Sequence, residues 1–488
     1  MHKRTDSSGR IIPASKAKYK GFFQFSSNYF SSFLLSLRRL FYGCADFSCE
    51  WRQLGSFSLP VCRFEGLCSG SEVSDFILRP LSALHCTSPQ LLYAQLCGGS
   101  LWAMGMEERT TAEELAEDLL QGRCVLLLPF AALSFDTRSQ TSRSVEEPVL
   151  ERSLLGPRDS FTEHYRTNTA LLRSHLRTSA LKLTEVSVGT ASSCRVGIVF
   201  LAGHGGEDYA KSICRTLRSA PVAAVTSLGD LEALLVPSHR GAFPQFHATE
   251  RPDRMARHLL EGRVGILCDG LPCALLAPCT LPELMRVAED RSSHALSASV
   301  LLMLRWMALL LALLLPALYL SVALYHQELL PFELLQSIIE AKQQVPFTTA
   351  AEILGMLGAF ALLQEAGYRL PEGAGSSVSI IGSLIVGQSA VDARVVSPIA
   401  VIVVAISGIA GYTLPDRSLE AALRLWRFLL VLCALCLGIY GVMGGFLLLL
   451  WQLCGMENQG VSYLYPLCDG ERRYRNTFLR MPLRRKRP

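Results

Sequence analysis

Charge is thin in this chain: 18% of its 488 residues are Asp, Glu, Lys or Arg, against 50% hydrophobic residues. The short texts that assemble common chemistry are missing too. There is no Gly-x-Gly-x-x-Gly, no Gly-Lys-Ser/Thr and no Gly-x-Ser-x-Gly, which leaves no dinucleotide fingerprint, phosphate loop or nucleophile elbow. The nearest approach, Gly203-His204-Gly205-Gly206 after the apolar run Val196–Ala202, reads as a strand-to-helix turn. His164, His175, His239, His247 and His258 are scattered without metal-ligand spacing, and acidic pairs such as Glu146-Glu147 sit in polar linkers. No catalytic residues, metal or cofactor are therefore expected, and the chain reads as a non-enzyme. A cleavable signal peptide is not expected either, because the first apolar stretch, Phe30–Tyr42, is broken by Arg38 and Arg39. The 16 cysteines are spread over the whole length. Cys433 and Cys436 share an apolar run with no second pair or histidine nearby, and Cys44, Cys49, Cys62 and Cys68 have no ligand spacing. Buried, reduced thiols are expected.

What the chain has in quantity is apolar text of helix length. Trp306–Leu324 is nineteen residues without a formal charge, Val395–Leu414 is twenty and Phe428–Leu453 is twenty-six. A bilayer core of about 30 Å needs ~20 such residues per helix, so each run can span it. Val378–Val391 differs. It is fourteen residues long, holds Gly382, Ser383, Gly387, Gln388 and Ser389, and runs straight into Asp392, Arg394 and Pro398. A short, interrupted segment at that depth must face protein or a water-filled path. Pro346–Tyr368, with Glu352 and Glu365 flanking Gly355 and Gly358, reads as a helix against such a path or partly in the interface. Ordinary helix packing through the small residues is the alternative.

The formal charge of +5 is unevenly placed. Residues 1–20 carry six Lys/Arg against Asp6, and residues 469–488 carry eight against Asp469 and Glu471, so the interior is net negative. Charge confined to two tails is not a nucleic-acid face. It suits two cytoplasmic ends lying against anionic lipid, and Tyr325–Val345 carries Glu328, Glu333 and Glu340 against Lys342. Both termini are expected in the cytoplasm, with an even number of full crossings.

The soluble half repeats itself. Leu119-Leu120-Gln121-Gly122-Arg123-Cys124-Val125-Leu126-Leu127 is matched by Leu259-Leu260-Glu261-Gly262-Arg263-Val264-Gly265-Ile266-Leu267, each reading as a helix, a glycine cap and an apolar strand. Leu59–Leu81 pairs with Val196–Leu217 as strand, turn (Glu65-Gly66-Leu67; Ala202-Gly203-His204) and helix. The expected organisation is a basic disordered tail (1–27), two related α/β subdomains (28–150 and 151–295), a helical transmembrane domain (296–466) and a basic tail (467–488). Polar text from Ser134 to Glu151 is expected to join the subdomains.

Longer motifs carry a resemblance. Thr249-Glu250-Arg251-Pro252-Asp253-Arg254, Asp269-Gly270-x-Pro272, Ser144-Val145-Glu146-Glu147-Pro148, Leu155-Gly156-Pro157-Arg158 and Arg166-Thr167-Asn168 are in order, as are Gln364-Glu365-Ala366-Gly367-Tyr368-Arg369-Leu370-Pro371 and Ile385-Val386-Gly387-Gln388-Ser389-Ala390-Val391. From about residue 28 to 466 the chain resembles the GerA family of spore germinant receptors, and within it the A subunit. The resemblance implies nutrient sensing at the inner membrane of a bacterial endospore and a ligand-gated ion channel built from several copies. It also implies work with a transporter-like B subunit and a lipoprotein C subunit. Where the family's helix before Gly367 carries acids, this chain has Leu357 and Ala361. A diverged accessory subunit of the dipicolinate channel, or a secondary transporter subunit, is the alternative reading. Candidate pore or gate residues are Glu352, Gln388, Ser389, Asp392 and Arg394.

Overall fold

The computed structural model describes residues 28–54, 57–83, 88–97, 105–139, 148, 151, 156–236, 241–291, 293–369, 387–458, 460–467 and 475–479. Both basic tails, apart from 475–479, and much of the segment expected as 378–391 lie outside these residues. The chain packs as two compact units. One comprises residues 1–148, 159–226 and 250–274; the other comprises 149–158, 227–249 and 275–488.

In the first unit, helix α1 (Asn28–Leu40) precedes strands β1 (Phe47–Leu54), β2 (Phe57–Phe64), β3 (Glu107–Arg109), β4 (Arg123–Leu127) and β5 (Ala132–Asp136). They form an antiparallel sheet in the order β1-β2-β4-β5-β3. Helix α2 (Ala112–Leu120) opens on a capping box: Thr111 Oγ1 accepts the Glu114 N–H at 3.2 Å, and the Glu114 carboxylate accepts the Thr111 N–H at 3.4 Å. Its buried Leu115 and Leu119 pack with Phe64 and Val125 of the sheet. Ser134, expected in a polar linker, is fully buried in β5, whose apolar neighbours Leu133 and Phe135 pull it into the sheet.

The second repeat has the same parts. After α3 (Tyr165–His175) come β6 (Leu181–Val188), β7 (Cys194–Leu201), α4 (Glu207–Ser219), β8 (His247–Thr249), α5 (Pro252–Leu260), β9 (Val264–Cys268) and β10 (Ala274–Ala277). In the first unit β6 pairs with β7 and β7 with β9, as β1, β2 and β4 do. In the second unit β10 neighbours β8, as β5 neighbours β3. The two repeated glycines occupy equivalent places. Gly122 (φ 88°) ends α2 and leads into β4; Gly262 (φ 87°) ends α5 and leads into β9. A Cβ on Gly122 would lie 2.9 Å from the Leu67 carbonyl oxygen, and one on Gly262 would lie 2.2 Å from that of His204. Those carbonyls belong to the matched turns, so the cap and the turn meet in both copies. The repeats are joined by main chain, the Leu183 N–H donating to the Gly43 carbonyl at 3.0 Å and the Ala45 N–H to the Leu183 carbonyl at 2.9 Å. Arg173 of α3 forks onto buried Asp46 and lies over the Phe64 ring, 4.3 Å from its centroid. Such a pair is costly to break, because either partner alone would be a buried, uncompensated charge.

In the second unit the helices are α6 (Ala295–Tyr325), α7 (Phe332–Gln343), α8 (Thr349–Arg369), α9 (Pro398–Tyr412) and α10 (Arg417–Gly455). Ala295–Tyr325, Thr349–Gly367 and Arg417–Gly455 are long and apolar enough to cross a membrane; Pro398–Tyr412 is shorter. The run expected as a span from Val395 to Leu414 is therefore trimmed. Ser397, whose hydroxyl accepts the Ala400 N–H at 3.3 Å, caps α9 at its start.

The apolar run expected as one span from Phe428 to Leu453 is two limbs. Gly438 has φ 60° and ψ −137°, a backbone region open essentially to glycine. Beyond it the chain turns back. A Cβ on Gly441 would stand 2.0 Å from the Cys433 carbonyl oxygen, and one on Gly445 would stand 2.7 Å from Leu430 Cδ2. In an unbroken helix residues 430 and 445 would be about 22 Å apart. The bend meets the end of α6, where the Tyr325 hydroxyl donates to the Leu435 carbonyl at 2.6 Å. At the opposite end α6 is anchored by Arg305, which forks onto Asp290 at 2.6 and 2.9 Å. That end also holds Asp416 near His247 and Gln452 near Gly241. Alpha-helix α6 and the two limbs of α10 thus traverse the same thickness.

Candidate functional site

Glu352 is carried by α8 and is 2% exposed. One carboxylate oxygen accepts the backbone N–H of Ser397 at 2.9 Å, and the other is buried without a hydrogen-bond partner among the described residues. A carboxylate suits this place because the start of α9 presents unpaired N–H groups and the positive end of its dipole. Glu352 therefore ties α8 to α9 and does not front an open path within the chain.

Gln388, Ser389 and Asp392 lie on the helical residues 387–392 and are all exposed. Their spacing of three and four residues puts them on one face. Gly387 is buried, and a Cβ there would lie 3.6 Å from Val401, on the second turn of α9. The polar face consequently runs beside an apolar helix. The interruption expected at Gly387-Gln388-Ser389 falls later. The Arg394 N–H donates to the Val391 carbonyl and the Val395 N–H to the Ala390 carbonyl, both at 2.9 Å, which closes the helix as a Schellman motif. Arg394 takes the left-handed position usually given to glycine (φ 57°), and no other non-glycine among the described residues has positive φ. A side chain there costs about 1–2 kcal/mol. Asp392 and Arg394 form no ion pair among the described residues; both are exposed. Nothing in the sequence text marks an arginine for this conformation.

One face of α8 is also open. Ala351, Gly355, Leu362 and Glu365 are exposed and Gly358 is half-buried, following steps of three and four. A Cβ on Gly355 or Gly358 would meet nothing within 4 Å. The small residues thus do not serve packing inside the chain. The opposite face does, with Leu357 and Ile353 in the core and Phe360 against Gly408.

A polar seam runs through the helical core without any motif in the sequence to mark it. Arg427 of α10 is 3% exposed, and its Nη1 donates to Ser407 Oγ of α9 at 3.1 Å. Ser407 in turn donates to the Ala312 carbonyl of α6 at 2.9 Å. No carboxylate pairs with Arg427 among the described residues; the nearby Glu420 is held by Arg424 at 3.2 Å. Only an arginine inside an apolar run could have pointed to the seam.

His175 pairs with Asp159 at 2.7 Å, while His247 lies between Glu151 at 3.7 Å and Asp416 at 3.2 Å on opposite ring nitrogens. The Gly203-His204-Gly205-Gly206 turn leads from β7 into α4. Cys49 and Cys62 face one another across β1 and β2, and the cysteines of the described residues form no disulfide.

Two sheet-based repeats followed by a helical membrane domain define the class of protein. The family model described as Bacillus/Clostridium GerA spore germination protein matches residues 36–488. The chain belongs to the GerA family of spore germination proteins. It is 33% identical to the uncharacterized membrane protein YfkQ of Bacillus subtilis over 92% of this chain and 88% of that one. It is 31% identical to spore germination protein KA of the same organism, over 84% and 76%. Among solved structures, the N-terminal domain of the A subunit of the Bacillus megaterium germinant receptor GerK3 matches with a TM-score of 0.37 at 21% identity, covering 50% of this chain and 92% of that one.

Proposed function

We propose that this protein is the A subunit of a nutrient germinant receptor and that several copies surround an ion-conducting path in the inner membrane of a spore. The observation that carries the reading is the exposed face of α8, with Ala351, Gly355 and Leu362, together with Gln388, Ser389 and Asp392. Small and polar groups at membrane depth must meet water or another protein surface. Copies arranged around an axis would supply both. In this reading Gln388, Ser389, Asp392 and Arg394 border the path and set its gate. Glu352 acts from behind by holding the start of α9. A transporter-like B subunit and a lipoprotein C subunit complete the receptor, and both termini face the cytoplasm.

The test is ion flux from liposomes holding the chain with and without its B and C partners, alongside spore germination. Asp392→Asn and Arg394→Gln should each change flux and germination rate at unchanged protein level and assembly. Normal flux and normal germination in both variants would place the path elsewhere.

A further inference from the structure

We propose that Cys49 and Cys62 are a peroxide-oxidisable thiol pair that closes to a disulfide across β1 and β2. The two residues are direct partners in the β1–β2 ladder, and their sulfurs stand 2.8 Å apart. Three steps along the same register the Glu65 N–H donates to the Asp46 carbonyl at 2.9 Å. Hydrogen-bonded pairs alternate from there, so Cys49 and Cys62 fall on a non-hydrogen-bonded one. Pro60, opposite Trp51, agrees with that phase, having no N–H to give. Pairs of this kind hold their Cα atoms about 4.5 Å apart, within the range of about 4.4–6.8 Å that a disulfide needs. The second repeat also brings two sulfurs together, Cys194 and Cys268 at 3.2 Å. There Cys268 faces Val196, so the thiols meet only along a diagonal, the longer cross-strand vector.

The two thiols of the first repeat are unlike. Cys49 is half-buried beside Arg38 of α1, and Cys62 is fully buried. Contact with Cys62, and more weakly with Arg38, lowers the Cys49 thiol below its usual value against the opposing pull of burial. Contact with Cys49 and burial raise the Cys62 thiol. Cys49 is therefore the attacking thiolate and Cys62 the resolving thiol. The Cys49 sulfur attacks hydrogen peroxide; an S–O bond forms as the O–O bond breaks, and hydroxide leaves to become water with the proton Cys49 gave up. The Cys62 sulfur then attacks Cys49, forming the S–S bond as the S–O bond breaks, and the oxygen departs as water with the Cys62 proton. Two thiols lose two electrons and one peroxide is reduced to two waters. β1 is an edge strand, and the chain just before it carries the main-chain joint to Leu183 and the Asp46–Arg173 pair. The bridge fastens that joint to the interior of the sheet.

The full chain in detergent is reduced, freed of reductant, exposed to hydrogen peroxide, alkylated and digested with trypsin under non-reducing conditions. Mass spectrometry should find the Leu40–Arg52 peptide joined to the Gln53–Arg63 peptide, two hydrogens lighter than their sum, with fragment ions placing the link at Cys49. Dithiothreitol should release it. Cys62→Ala should abolish the link and leave Cys49 as a sulfenic acid that dimedone labels, while Cys49→Ser should leave Cys62 unmodified. Cys44→Ser should keep the link. Exposed Cys97 reports that peroxide reached the protein. Recovery of Cys49 and Cys62 as free thiols while Cys97 is oxidised, or a link that runs through Cys44 instead, overturns the proposal.

Discussion

Both halves of the molecule turn on glycines, but only one half announces them. In the soluble repeats Gly122 and Gly262 sit in matched text, each closing an amphipathic helix before an apolar strand, and each holds a φ near 88°. In the membrane half Gly438 lies among Gly441, Gly444 and Gly445 within uninterrupted apolar text, and there the chain folds back on itself. Periodicity reports geometry, because a buried stripe has to recur with the helix or strand period. Hydropathy reports only composition. A hairpin of two apolar limbs and one long helix have the same composition.

The sharpest way to break this contrast is at Gly438. A side chain there would take a backbone region closed to it, and its Cβ would stand 3.1 Å from the Tyr325 ring. Gly438→Val should cost roughly 3 kcal/mol or more and lower both yield and thermal midpoint in detergent. The hairpin itself can be seen by trapping a disulfide between Leu430→Cys and Gly445→Cys. A straight helix would hold that pair about 22 Å apart and give no crosslink.

The soluble repeats should respond in a graded way. Gly262→Val and Gly122→Val both force a left-handed backbone on a β-branched residue, at roughly 1–2 kcal/mol. Gly262 adds a closer clash, 2.2 Å against 2.9 Å to the facing turn carbonyl. Gly262→Val should therefore be the more destabilising by about 1 kcal/mol in thermal unfolding of the full chain. Equal effects would show that the caps are not under the same constraint.

Much of the fold was legible for this reason. The paired strand–turn–helix texts and the glycine caps placed the duplication, and three runs of apolar text placed the membrane half. What stayed hidden depends on contacts distant in sequence. Glu352 looks like a pore acid by position, yet it caps α9 through Ser397, 45 residues on. Arg394 adopts a glycine's conformation that no neighbouring residue foretells. Arg427 finds its partner on another helix, 20 residues away. Ser407→Ala tests that last contact by removing the hydroxyl that receives the buried guanidinium. The expected loss is about 1.5–3 kcal/mol, the usual worth of a hydrogen bond to a charged group, read as a lower midpoint in detergent. An unchanged midpoint would mean that Arg427 is satisfied some other way.

The smallest expected effect is a pH dependence in the soluble repeats. His175 and Asp159 are about a quarter exposed and 2.7 Å apart. The hydrogen bond and charge of Asp159 raise the His175 imidazole above its usual 6.5, against the opposing pull of burial. Asp253 adds to the rise and Arg251 opposes it. In return, His175 lowers the Asp159 carboxyl below its usual 3.8. The signs follow from proton binding. The histidine's contribution is fully present below pH 6.5 and fades as pH rises through its raised value in the folded chain. The aspartate's contribution is present above about pH 3.8 and fades as pH falls through its lowered value. Stability from the pair therefore peaks on the mildly acid side of neutrality. Its size is about 0.5–1 kcal/mol, since both groups keep some contact with solvent. His175→Ala should flatten the decline in thermal midpoint between pH 6 and 8 that the parent chain shows. A decline of the same steepness in the variant would assign the pH dependence to other groups.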